Sequence, residues 1–293
     1  NQGHSSEEIR RLCEWVDAGL VGDVTEVHAW CDRPQGGGSV SFVHGIERPT
    51  GDIAVPSELD WDLWLGPAKE RPYHPDYLPM KWRGYLDFGC GALGDFGCHT
   101  LDPAFWALNL GSPEKIMAAT TNNLPDIPYD TYPTSSIIKY WFPKRKSKPA
   151  VKLTWYDGGI RPVWDERFEN FEFGGNGALF VCEKGLIRHG SHGAGGLKFI
   201  PFDPTYKFED PSPTIPRIVG RHQADWVNAC VTGKPASSNF TYGGPLTEMV
   251  SLGVVASLCR EQAITWDPKT MTVPGNEMAN AILNPEFREG WTL

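Results

Sequence analysis

No apolar run in the chain is long enough to span a bilayer, so no transmembrane helix is expected. Phosphate-cradling loops are missing too. The glycine clusters Gly36-Gly-Gly38 and Gly193-Ala-Gly-Gly196 match neither GxGxxG nor GxxxxGK[ST], and neither lies between a strand and a helix. Gly-x-Ser-x-Gly is absent, and no serine or cysteine sits in a recognised base-paired context, so no nucleophile stands out. Cysteine is sparse, with seven scattered along 293 residues, which reads as free thiols rather than a disulfide scaffold. Cys90, Cys98 and His99 invite a metal, but no CxxC or HxxxH pair supplies the remaining ligands, and no metal site is expected. Basic charge is in deficit. The net charge of −9 argues against nucleic acid or an anionic membrane as partner. The single basic run, Lys144-Arg145-Lys146-Ser147-Lys148, lies between Pro143 and Pro149 and reads as a solvated turn. An initiator methionine and a signal-peptide pattern are also missing. The chain is therefore expected to begin mid-protein, with any targeting segment upstream and the choice between cytoplasm and export not encoded in these residues.

What is present describes a globular protein with one substantial core or two small ones, 40% hydrophobic and 22% charged. Ser5 and Glu8 are spaced as a capping box ahead of Ile9, Leu12, Cys13 and Val16, and Gly19 is placed to stop that helix. Residues Val24 to Trp30 alternate as a half-buried strand. A glycine-rich loop at Gln35 to Gly38 follows, then a proline- and aromatic-rich stretch to Tyr85. From Lys115 to Ile200 strands are expected at 116–121, 136–142, 151–156, 168–173, 178–182, 186–189 and 197–200, with short links that imply a largely antiparallel sheet. Helices near 221–232 and 245–261 and a last strand near 264–266 complete an α+β class, an open sheet with helices packed on one face.

The segment from Gly89 to Asp102 carries the chemistry. Asp95, His99 and Asp102 stand at i, i+4 and i+7, so one helix would point them the same way, and a carboxylate and an imidazole on one face can share a proton. Two helix starts are open. Pro103 can take the first position with Asp102 as N-cap, or the helix begins near Asp95 and kinks at Pro103. Either way Asp95 and His99 are expected near a helix N-terminus, with the glycines letting a ligand approach. Just upstream, Arg83 offers a fork of donors and Trp82 a flat apolar platform. His4, His222 and the pair Tyr156-Asp157 are weaker candidates, each equally readable as a structural hydrogen bonder. Twelve tryptophans, nine tyrosines and fourteen phenylalanines suit sugar rings, although core and interface account for most of them.

The run Gly94-Asp95-Phe-Gly-Cys-His99-Thr-Leu-Asp102 resembles the Asp-x-x-x-His-x-x-Asp pattern of the Gfo/Idh/MocA oxidoreductases, and Gly3-His4-Ser5 leading a helix into Ala18-Gly-Leu-Val-Gly-Asp-Val24 resembles that family's entry into its second domain. The resemblance implies the C-terminal domain of an enzyme that oxidises a sugar or polyol hydroxyl with NAD or NADP. It makes residues 1–293 a substrate-binding and oligomerisation domain, with residues 1–4 the end of a missing dinucleotide-binding domain. Asp95 and His99 would be catalytic, and Asn1, Gln2 and Arg83 would face the cofactor. His4, Trp82, Arg83, Asp102, Tyr156 and His222 would face substrate. The family's glycine fingerprint and Glu-Lys-Pro lysine are not in this chain, so the piece alone is expected to be inactive. A homo-oligomer through the sheet face is implied. The alternatives are a relative that uses NAD transiently to cleave glycosidic bonds, a non-catalytic carbohydrate-binding module, and a metal-dependent hydrolase built on His99 and Asp102.

Overall fold

The computed structural model describes residues 1–34, 42–121, 130–163, 165–168, 171–259 and 262–292. The Gln35 to Gly38 loop and Glu261 lie outside the described residues. Helix α1 (Glu7–Asp17) is capped by Ser6, whose Oγ accepts from the Ile9 N–H at 3.4 Å. Ser5, expected as the cap, bonds His222 Nδ1 at 2.7 Å instead. The helix therefore starts one residue later, and the third helical position holds Ile9 where a capping box needs Glu. β1 (Val24–Trp30), α2 (Trp61–Leu65), α3 (Gly91–Thr100) and α4 (Asp102–Ala107) follow. Six strands come next, β2 (Lys115–Thr120), β3 (Ser136–Phe142), β4 (Val151–Tyr156), β5 (Gly177–Cys182), β6 (Gly185–Gly190) and β7 (Lys198–Pro201). The chain ends with α5 (His222–Thr232), α6 (Phe240–Leu258), β8 (Ile264–Thr265) and α7 (Glu277–Leu283).

All eight strands form one sheet in the order β7-β6-β5-β1-β4-β3-β2-β8. Every pairing is antiparallel except β1 with β4, which run parallel with Glu26 opposite Lys152 and Trp30 opposite Tyr156. Period-two alternation sorts the two faces. Val27, Ala29, Val151, Leu153, Trp155, Ala178 and Phe180 face a single core with Leu12 of α1, Leu93 of α3, Ala104 of α4 and Met249 of α6. Trp30, Tyr156, Leu179 and Val181 face the other way and form a smaller cluster with Phe168.

The described residues Phe168 and 171–173 do not form the expected strand, and residues 169 and 170 lie outside the described residues. Phe168 ends a single 3-10 turn, and Phe171 and Phe173 pack edge-on against the Trp30 ring, covering part of the second face. Three phenylalanines in six residues imitate a strand pattern, but here they act as a lid over aromatic surface. α6 begins five residues before Pro245, because Asn239 caps it through the Thr241 N–H at 2.9 Å. α5 differs from the other long helices in having no buried residue, and Trp226 and Val231 are exposed. No described helix is long and apolar enough to cross a membrane.

Candidate active site

Pro103 decides the local architecture. It has no N–H to give to the carbonyl four residues back, and its ring crowds that turn. α3 therefore closes at Thr100, and α4 restarts with Asp102 and Pro103 in its first turn after Leu101 as cap. Asp102 is a first-turn residue rather than the N-cap. Asp95 is the fifth of the ten residues of α3 and His99 lies in its last turn, so the expected N-terminal placement is replaced by a mid-helix position for Asp95 and a C-terminal one for His99. The three polar side chains lie on two helices, and their shared face is lost. The glycines of α3 serve packing as well. A Cβ on Gly97 would press on both methyls of Val250 in α6 at 3.2 Å, so Gly97 lets the two helices approach.

Asp102 is fully buried, and its carboxylate is the centre of a closed cluster. His4 Nδ1 lies 3.1 Å from both carboxylate oxygens, Asn1 Nδ2 donates to Oδ2 at 3.1 Å, and the Tyr242 hydroxyl donates to Oδ1. The His4 ring is held between Trp106 at 4.3 Å and Tyr242 at 4.2 Å. Arg10 Nη1 bonds the His4 carbonyl at 2.7 Å, and its guanidinium lies 5.3 Å from the Trp106 ring. Burial pushes the Tyr242 phenol above its ordinary range, with Asp102 adding to the effect, so the hydroxyl stays a donor. The structure thus places His4 and Asp102 against each other in the interior, with their polar atoms turned to protein partners.

Asp95 and His99 are half-buried and not joined by a hydrogen bond. Asp95 Oδ1 accepts from Arg83 Nε at 3.1 Å, and the guanidinium lies 4.6 Å from the Trp82 ring, so Trp82, Arg83 and Asp95 form one unit. His99 stacks on His192, with ring centroids 4.1 Å apart and planes 20° from parallel. Phe96 meets both rings edge-on. His99 Nδ1 is buried without a partner. Burial first, and then the neighbouring His192, lower the His99 imidazole to about 4, so it is neutral near pH 7. A neutral imidazole can accept a proton, but the buried Nδ1 is closed to a substrate, so the nitrogen that can do so is Nε2.

The remaining candidates lie apart. Tyr156 is on the far side of the sheet from the core that α3 joins, with its hydroxyl 3.0 Å from His28 Nδ1. It lines a groove of about 280 Å³ with Glu26, Lys139, Trp141 and Lys152. His222 begins α5 and is tied to Ser5. Gln2 is exposed in the N-terminal turn. Two residues of the site region escaped sequence reading. His192 directly precedes the Gly193 to Gly196 cluster, which drew attention only as a nucleotide-loop candidate, and it is a non-glycine residue held at φ +61°. Tyr242 lies 140 residues from Asp102 and carried no local signal.

No described glycine loop joins a strand to a helix in the manner of a dinucleotide cradle, and the one parallel pair, β1–β4, encloses no such turn. Arg83 gives its Nε to Asp95. The Asn1 amide nitrogen is committed to Asp102 and to the Cys98 carbonyl, leaving only its buried Oδ1 unpartnered. These residues do not by themselves fit a whole NAD(P). Among the described residues no group of three or more His, Cys, Asp or Glu is placed to hold a metal ion.

Residues 8–129 match the model of the oxidoreductase family, C-terminal alpha/beta domain (GFO_IDH_MocA_C2). No curated protein matches the chain. Among solved structures, the chain is similar to the WlbA dehydrogenase from Bordetella pertussis in complex with NADH and UDP-GlcNAcA, at 14% identity over 91% of this chain and 62% of that one, with a TM-score of 0.48. An oxidoreductase from Sinorhizobium meliloti gives 12% identity over 90% and 63%, with a TM-score of 0.49. Levoglucosan dehydrogenase in complex with NADH and levoglucosan gives 13% over 89% and 64%, with a TM-score of 0.45. The chain therefore spans less than two thirds of the length of each of these proteins. The matched segment covers less than half of this chain and holds β1, both site helices and β2, and over it the chain is similar to the C-terminal alpha/beta domain of that oxidoreductase family.

Proposed function

We propose that this chain is the substrate and oligomerisation domain of an NAD(P)-dependent oxidoreductase that acts on a sugar or polyol hydroxyl. The observation that carries the reading is His99, neutral and half-buried with Nδ1 unpartnered, beside the Asp95–Arg83–Trp82 unit. Oxidising an alcohol removes a hydroxyl proton together with a hydride. The imidazole of His99 takes the proton, Arg83 donates hydrogen bonds to neighbouring hydroxyls, and Asp95 fixes the direction of that guanidinium. Trp82 gives a sugar ring an apolar face. NAD(P), held by a nucleotide-binding domain that precedes residues 1–4, supplies the hydride acceptor. The present residues alone lack that acceptor and are inactive without it. The groove side of the sheet, where Met117 is exposed, is the surface through which copies of the protein associate.

The test is made on the complete gene product. NADH fluorescence should change on binding, and a panel of sugars and polyols should include one that reduces the oxidised cofactor. His99→Asn should lower kcat by roughly 10²–10⁴-fold with NADH binding unchanged. Absence of NADH binding, or parental turnover in the variant, would sink the reading.

A further inference from the structure

A histidine that acts as a base is ordinarily aimed by a hydrogen bond from its other nitrogen, most often to a carboxylate or a carbonyl. His99 has no such bond, since its Nδ1 is unpartnered and the nearby carboxylate of Asp95 is engaged by Arg83. Its ring is instead fixed by stacking, edge-on against Phe96 and face-on against His192 at 4.1 Å.

His192 is itself firmly held. Its Nδ1 lies 2.7 Å from Ser191 Oγ, which accepts from the hydroxyl of Thr100, the residue next to His99, at 3.3 Å. Behind it, Gly193 has φ +81°, and its carbonyl accepts from Ser6 Oγ. A Cβ on Gly3 would lie 2.5 Å from the Gly193 nitrogen, so the two backbones touch, and no larger residue fits at Gly3. The loop that carries His192 is thus clamped between the N-terminal turn and the end of α3.

We propose that His192 is a positioning residue that holds the His99 imidazole in one orientation by stacking and, because two imidazolium rings in face contact repel, adds to burial in opposing its protonation. This rests on the reading of His99 as the proton acceptor. The charged groups around His99 are few. Asp95 of α3 and Asp102 of α4 favour its protonated form, whereas His192 opposes it and touches the ring.

The experiment follows the His99 ring signals by histidine-labelled NMR through a pH titration of the full chain, in the parent, His192→Ala and His192→Phe. The Phe variant keeps a stacking face and removes the competing charge. Its His99 signals should stay in one conformation while the titration midpoint moves up by about one pH unit. The Ala variant should show the same upward shift, with the ring signals broadened or split by loss of a fixed orientation. His99 signals and midpoint unchanged in His192→Ala would overturn the proposal, as would a loss of orientation that Phe does not restore. If the Ala variant fails to fold, a parental midpoint in the Phe variant overturns it alone. Turnover by the complete gene product is a separate readout, so absence of any hydroxyl oxidation would overturn the proposed reaction while the NMR still decides the role of His192.

Discussion

His4 and His99 each stack on an aromatic ring at little more than 4 Å, and each lies near an aspartate from the same fourteen-residue segment. Around His4 the carboxylate is fully paired. Asp102 is met by the histidine, an amide and a phenol, with no exposure to water. Around His99 the pairing is incomplete, with Asp95 turned to an arginine and a ring nitrogen left over. A fully buried carboxylate with three side-chain partners ties the N-terminal turn, α4 and α6 together. Half-burial leaves the other edge of the His99 ring available for chemistry. Sequence spacing alone does not separate the two, because both aspartates precede or follow the same histidine by three or four residues.

The comparison breaks most visibly at Asp102. Asp102→Ala leaves the His4 nitrogen, the Tyr242 hydroxyl and the Asn1 amide facing a dry cavity, and should cost about 3–5 kcal/mol. Urea denaturation measures it. A loss below about 1 kcal/mol would mean that the closed cluster is not what joins these elements. The next effect is steric. A Cβ on Gly253 would overlap the Tyr140 hydroxyl and crowd Leu93 of α3, so Gly253→Ala should cost about 1–3 kcal/mol, and adding Tyr140→Phe should recover part of it. Without that recovery, the clash would lie elsewhere in the α6 contact.

Protons distinguish the regions next. Burial lowers His44, His99 and His189 to about 4 and lowers His28 as well, so the unfolded chain binds more protons than the folded one between about pH 6.5 and 4. The stability contributed by these neutral histidines is fully present above 6.5 and is lost as pH falls through that window. Asp157 opposes the trend. Its buried carboxyl is raised to about 6, so its contribution is present at low pH and is lost as pH rises from about 4 to 6. Four histidines against one carboxyl leave a net loss on acidification, and the urea midpoint should fall between pH 7 and pH 5. A flat or rising midpoint would refute the assignment of neutral histidines.

Much of the fold was legible because strand alternation and turn residues are local signals. β1, β3 and β4 occupy the expected residues, and the antiparallel meander follows from its short links. The parallel β1–β4 pair was not legible, since it joins residues more than a hundred positions apart. At the site, Asp95, His99, Arg83 and Trp82 stood out from one short stretch, and the structure joins Trp82, Arg83 and Asp95 and sets His99 one turn further along α3. The split between Asp95 and Asp102 was partly legible in Pro103. The partners that separate a saturated carboxylate from an available histidine, Tyr242 and His192, arrive from distant segments and carry no pattern of their own.

The smallest expected effect is also the sharpest for the comparison. His99→Ala removes a half-buried ring that forms no hydrogen bond through Nδ1, so the loss is confined to stacking on His192 and Phe96, about 0.5–1.5 kcal/mol. Removing a buried nitrogen that has no partner offsets part of that, and the urea midpoint at pH 7 should move by less than the equivalent of about 1 kcal/mol. The acid dependence should change more clearly. With one of the four depressed histidines gone, the fall in stability between pH 6.5 and 4 becomes shallower. A loss at pH 7 as large as that of Asp102→Ala would make His99 a second structural keystone, and the contrast between the two clusters would fail. A small loss with a shallower acid slope is the signature of a group that the fold carries without depending on it.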